Sequence, residues 1–169
     1  RRFLSLDDAA PISLVAEAKI DGLSLSVRYI DGKLERAATR GDGEEGEDVT
    51  ANVRTIEGIP ETLPAGAPAV LEVRGEVYLS HSEFRRINQE REAESAALYV
   101  NPRNAASGAL RQLDASITAS RRLQFFAYSW GELSAPLADT QFEALQRLAE
   151  FGFSINPLTD ACDGAAGAL

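Results

Sequence analysis

The 169-residue chain has no methionine and only one cysteine, one histidine and one tryptophan. Each scarcity removes a class of chemistry. A lone Cys162 allows no internal disulfide and no cysteine-cluster metal site, which fits a reducing compartment and suits a small buried hydrophobe. The lone His81 sits inside a helix cap without an obvious partner, so it reads as surface structure rather than as a catalyst. Of the 17 basic residues only Lys19 and Lys33 are lysines. No apolar run approaches the roughly 18 residues that span a bilayer, and neither end reads as a signal peptide. The expectation is a soluble, cytoplasmic protein with no membrane partner. Lacking any methionine, the chain cannot keep an initiator and reads as a piece of a longer protein.

What is present suffices for a core. At 44% hydrophobic content the chain fits one domain or most of a larger one. A net charge of −9 argues against bulk electrostatic binding of nucleic acid. The charge is uneven, however: residues 31–61 carry four basic and nine acidic side chains, whereas 101–130 carry four arginines and one aspartate. Any phosphate is expected to be met in the second stretch.

The scarce lysine stands in a telling place. Glu17-Ala18-Lys19-Ile20-Asp21-Gly22 puts Lys19 between two carboxylates in the tail of an expected strand, Leu14 to Ile20. In extended backbone Glu17, Lys19 and Asp21 would share one face. Lys19 is then a candidate nucleophile, although such a row on a strand is also a common solvated face. Gly22 would free the backbone to turn or let a ligand come close.

Downstream, Leu23 to Tyr29 alternates apolar and polar residues like a half-buried strand. Asp31-Gly32 is a two-residue hairpin signal, which returns Lys33 to Arg40 antiparallel and brings Arg40 back beside Gly22. Gly41 to Gly46 is a glycine-rich acidic loop, either a plain mobile loop or a metal-assisted phosphate site. A short helix starts near Glu47 and Asp48, with Val49, Val53 and Ile56 inward and the two acids in its first turn.

The next strand, Val70 to Leu79, buries Leu71, Val73, Val77 and Leu79. Its other face, Glu72, Arg74, Glu76 and Tyr78, meets water or lines a polar cleft. Gly75 within it suggests close approach of a ligand. Ser80-x-x-Glu83 and Thr140-x-x-Glu143 are capping boxes that open helices, the second closed by Gly152. Arg103, Ser107 and Arg111 fall on one helical stripe that could grip a phosphate, and the small residues between them also suit close packing on the sheet. Leu123 to Trp130 is strand-like, with most of its rings, Trp130 included, expected in the core.

Five segments, EAKIDGLSLSVRY, ATRGDGEEGEDVTANVRTI, LEVRGEVYL, NPRNAASGALRQLD and FFAYSWG, occur together in an order and spacing that resembles the adenylation domain of bacterial NAD-dependent DNA ligases. The resemblance covers most of residues 14–157. It implies an α+β nucleotidyltransferase fold, ATP-grasp-like, of antiparallel sheets flanked by helices, here truncated. Residues 1–13 would be a lead-in from a preceding domain and 14–169 the N-terminal and central part of the adenylation domain. It also implies a ligase of DNA replication and repair that acts on nicked duplex DNA with NAD as AMP donor and Mg²⁺. A structural zinc belongs to a downstream domain that this chain lacks.

By the same resemblance Lys19 carries the covalent AMP, Glu17 lies beside the adenine, and Asp21 and Gly22 complete the lysine motif. Arg40 reaches the ribose and phosphate, Glu76 meets the ribose hydroxyls, and Tyr128 stacks on adenine. Arg103 and Arg111 serve the AMP phosphate or the nick. An ordinary lysine, with a pKa of about 10.4, offers roughly one free amine in a thousand near pH 7.5, so a cation such as Mg²⁺ or Arg40 is expected to help. Two other readings stay open: an ATP-dependent lysyl-adenylate enzyme, and a non-catalytic fragment that only binds adenine nucleotide. The isolated chain is expected to be inactive.

Overall fold

The computed structural model describes residues 12–41 and 46–167. Nearly all of the expected lead-in, the acidic centre of the glycine loop and the last two residues therefore lie outside the described residues. Strand β2 (Leu23–Ile30) and strand β3 (Lys33–Thr39) form the expected hairpin. Asp31 and Gly32 turn it with φ of 47° and 74°, the paired positive values that match the twist of the flanking strands. Strand β4 (Val70–Tyr78) lies antiparallel along the other edge of β2, and strand β5 (Gln124–Leu133) lies beside β4. The sheet order is β3-β2-β4-β5.

Alternation then sorts the side chains. Leu25, Val27, Tyr29, Leu71, Val73, Val77, Phe125 and Ala127 are buried in one core. Helix α2 (His81–Ala93) adds Ile87, helix α3 (Pro102–Leu110) adds Ala105, Ala106, Ala109 and Leu110, and helix α5 (Gln141–Glu150) adds Leu145 and Leu148. The small residues of α3 thus serve close packing. Tyr29 donates its hydroxyl to the Pro60 carbonyl at 2.6 Å, and burial pushes that phenol's pKa up. The N-cap half of both boxes forms, with Ser80 accepting from Glu83 N at 3.2 Å and Thr140 from Glu143 N at 3.3 Å, while the Glu83 carboxylate turns to Arg86 and that of Glu143 to the Thr140 hydroxyl. Gly152, at φ 99°, ends α5, while Phe153 N donates to Leu148 O and Gly152 N to Ala149 O.

Several expectations need correction. Helix α1 (Thr50–Val53) begins after the acids, because the Asp48 carboxylate accepts from both Thr50 N and Thr50 Oγ1 and so stays outside the first turn. Val49, Val53 and Ile56 are buried nonetheless. Gly75 is bare for packing reasons: a Cβ there would lie 2.2 Å from the Phe125 ring and 2.4 Å from Phe126 O. Among the rings of β5 only Phe125 is fully buried, and Trp130 is half-buried. Cys162 is half-buried on an edge strand rather than in the core. His81 is exposed, as expected.

Helix α4 (Ala115–Ala119) gives no signal in the sequence reading. Asp114 caps it, and Thr118 is its buried residue. Asn52 donates to Thr118 Oγ1 and to Gln112 O, both at 2.8 Å, while Thr118 donates to Ala109 O, so a satisfied polar knot ties α1, α3 and α4. A second, two-stranded sheet pairs β1 (Ser13–Ala16) with β6 (Asp160–Asp163), followed by α6 (Gly164–Gly167). Among the described residues no helix is long and apolar enough to cross a membrane.

The α2 cap carries a pH-sensitive contact. Arg86 grips both oxygens of the buried Glu83 carboxylate, and that pairing holds its pKa below the ordinary range. A depressed carboxylate contributes stability that is present above its unfolded pKa and lost as pH falls through the folded one. Glu83→Gln is expected to cost about 1–2 kcal/mol at pH 7, with the difference from wild type shrinking as pH drops below about 4. Urea melts at pH 7 and pH 3 check this; an equal loss at both would place the effect in packing instead.

Candidate active site

Strand β1 ends at Ala16, so Glu17 to Gly22 is irregular backbone rather than the expected extended row. The carboxylates consequently part company. Glu17 and Lys19 line one cavity, whereas Asp21 lies outside that lining and pairs with Arg103 at 3.6 Å. Gly22 is buried, and a Cβ on it would meet Val77 O at 2.2 Å. The close backbone of β4 by itself requires a glycine there.

Glu17, Lys19, Arg40, Glu76 and Tyr128 line one cavity of about 370 Å³. Each arrives by a different route. Arg40 follows β3, and its amide donates to Ser24 O at 3.3 Å, which closes the end of the hairpin over the pocket. Glu76 sits opposite Ser24 in the β2–β4 ladder, accepts from Ser24 Oγ at 3.1 Å, and is only 6% exposed. The polar face of β4 therefore lines a cleft at this end rather than meeting water.

Tyr128 owes its place to an irregularity. Ala127 pairs with Gly75 and Ser129 with Arg74, so Tyr128 is an extra residue on β5. Such a bulge re-aims the side chain it carries. The ring is 36% exposed beside the cavity, and Gln141 Nε2 donates to the Tyr128 carbonyl at 3.1 Å. Phe126 lines the same cavity and stacks on Tyr78, with centroids 4.9 Å apart.

Over the whole of residues 1–169 the sequence matches the family model for the NAD-dependent DNA ligase adenylation domain. The chain belongs to that family. A DNA ligase of Ruegeria pomeroyi is 62% identical over 162 residues, covering 96% of this chain and 22% of that protein. The DNA ligase of Methylobacterium radiotolerans is 58% identical across 100% of this chain and 21% of its own length, and that of Rhizobium rhizogenes 57% across 99% and 23%. The chain spans about a fifth of the length of these curated relatives.

The two remaining candidate arginines of this adenylation domain, Arg103 and Arg111, lie apart from the cavity. Helix α3 ends at Leu110, so Arg111 is its C-cap rather than a member of the helical stripe. Arg111 pairs with Glu47 at 3.1 Å and Arg103 with Asp21, both on the exposed surface where ion pairs contribute little. A broader trough of about 670 Å³ continues past Ser24, Arg40 and Tyr128 to Arg28, Arg36 and Arg74. Two of its four arginines are paired: Arg28 meets Glu35 and Glu132, and Arg74 meets Glu72. Burial would push the Glu72 carboxyl up, yet hydrogen bonds from Ser26 and Arg74 hold it below its ordinary value.

Sequence reasoning missed Ser24, Phe126, Asn156 and Thr159, which complete the walls of the ligase-family pocket. Ser24 and Phe126 could have been found from strand parity, since they share a face with Glu76. Asn156 and Thr159 arrive through long-range contacts that leave no local signal. Among the described residues no group of three or more histidine, cysteine, aspartate or glutamate side chains is arranged to hold a metal ion.

Proposed function

We propose that this chain is the lysine-bearing part, with a nucleotidyltransferase fold, of an NAD-dependent DNA ligase that seals 5′-phosphate/3′-hydroxyl nicks in duplex DNA. The neutral Lys19 amine attacks the adenylyl phosphorus of NAD. An N–P bond forms, the P–O bond to nicotinamide mononucleotide breaks, and the amine proton leaves to solvent. A 5′-phosphate oxygen of the nick then takes the AMP and returns the lysine, after which the 3′-hydroxyl attacks that phosphate and AMP departs. Lys19 works as an activated nucleophile would, splitting one displacement into easier steps.

The carrying observation is the convergence of Lys19, Glu17, Arg40, Glu76 and Tyr128 on one cavity, whose volume suits a small-molecule site. In this reading Tyr128 stacks on adenine, Glu17 borders it, Glu76 and Arg40 take the ribose and its phosphate, and Gly22 fixes the turn after the lysine. Arg103 and Arg111 exchange their surface carboxylates, those of Asp21 and Glu47, for the AMP phosphate or the nick. Mg²⁺ held largely by the nucleotide phosphates would neutralise charge there without a cluster of protein carboxylates.

The test is to offer the full-length protein labelled NAD or ATP and map the labelled peptide. AMP from NAD on Lys19 supports the proposal; label from ATP alone, or on Lys33, overturns it. The 169-residue chain run in parallel is expected to gain AMP far more slowly. A further expectation concerns Tyr128. Tyr128→Ala should weaken nucleotide binding by about 1–3 kcal/mol, whereas Tyr128→Phe keeps the stacking face and most of the affinity. Titration calorimetry separates the two, and equal losses would assign the contact to the hydroxyl.

A further inference from the structure

Lys19 rides on backbone that the sheets do not hold. Strand β1 ends at Ala16 and β2 begins at Leu23, so residues 17–22 lie outside both ladders. Among the described residues one hydrogen bond reaches the backbone of this segment: Asn156 Nδ2 donates to Ala18 O at 3.4 Å. Asn156 comes from 138 positions away and is only 9% exposed. Its amide orientation is fixed from the other side, because Leu158 N can only donate and does so to Asn156 Oδ1 at 3.0 Å. The Nδ2 group is thereby left facing Ala18.

The segment bearing Asn156 is itself tied to the opposite wall. Ile155 bridges Ala127 in parallel, and Ala127 N donates to Ser154 O at 2.9 Å. Residues 154–156 thus form a spacer between the Lys19 segment and the strand that presents Tyr128. We propose that Asn156 is a positioning residue for Lys19: by holding the Ala18 carbonyl it sets the place of the lysine amine relative to a nucleotide resting on Tyr128. This rests on the reading of Lys19 as nucleophile given above. A misplaced amine lowers the rate of N–P bond formation without changing how the rest of the nucleotide is held.

Asn156→Asp keeps the hydrogen bond from Leu158 N and loses the one to Ala18 O, while adding a negative charge to the pocket wall. Asn156→Ala removes both. In the full-length protein, Asn156→Asp is expected to make tryptic cleavage after Lys19 about tenfold faster, with hydrogen exchange in strands β2 to β5 unchanged. The maximal rate of lysyl-AMP formation, read by intact mass, should fall about tenfold while half-saturating NAD stays within about twofold. Cleavage after Lys19 and adduct-formation rate equal to wild type in both variants overturn the proposal. So does faster exchange throughout the sheet, which marks a merely structural role. If AMP in the unmodified protein maps elsewhere than Lys19, both the reading and this inference fall; if it maps to Lys19 and Asn156→Asp behaves as wild type, only the inference falls.

Discussion

Full-length protein carrying Lys19→Ala is expected to gain no AMP from NAD, while Lys33→Ala gains one equivalent as wild type does. The contrast follows from placement. Lys19 lines the cavity with Glu17, Arg40, Glu76 and Tyr128, whereas Lys33 opens β3 across the hairpin turn and bridges Thr62. Lys19→Arg sharpens the test, because a guanidinium keeps the positive charge but stays protonated and cannot attack phosphorus. The rate of adduct formation in either Lys19 variant should drop by at least about a thousandfold. Lys19 is exposed, so thermal unfolding should hardly move. Stoichiometric AMP in Lys19→Ala, read by intact mass, would remove the nucleophile from this account.

The largest expected effect on stability comes from a residue with no side chain. Gly75→Ala places a methyl 2.2 Å from Phe125 Cζ, 2.4 Å from its Cε2 and 2.4 Å from Phe126 O. None of these atoms can easily give way. The Phe125 ring is buried in the core, and the Phe126 carbonyl belongs to the β4–β5 edge. Overpacking of this kind costs about 1–3 kcal/mol, and with backbone as one obstacle the upper end is expected. Set against total stabilities of about 5–15 kcal/mol, this is a large share. Urea unfolding should show a lower midpoint with an unchanged slope; an unmoved midpoint would mean that β5 shifts at no cost. Tyr128, the extra residue between Gly75's partner and the next pair, would be displaced with it.

How legible each part was depended on the range of the forces involved. The β2–β3 hairpin, the two capping boxes and the inward face of β4 are encoded by residues within one turn or one strand, and all were readable. The lysine row was misread because periodicity shows which residues could share a face, not where a strand stops. Strand β1 stops when its partner β6 does, and that partner lies at the other end of the chain. Tyr128 was legible as an aromatic at the right place in a familiar segment, while the bulge that aims it arises from β4 pairing and leaves no local trace. Asn156 was invisible for the same reason. The charged face of β4 was half legible: the sequence left water or a cleft open, and the burial of Glu76 decided for the cleft at that end.

The pairing of β1 with β6 also orders events in time. The hairpin joining β2 and β3 closes across two residues, but Ala16 reaches its partner Asp160 only across nearly the whole chain. Contacts so distant pay more loop entropy and form later than local ones. During synthesis about 140 residues separate the emergence of the two strands, which at typical elongation rates is roughly 10–30 s. Within that interval β2, β3 and β4 can assemble, β5 joins them near its end, and the segment bearing Lys19 still has neither β6 nor Asn156 to hold it. Lys19 thus sits on the part of the pocket fastened last, after the sheet that forms the other walls is standing.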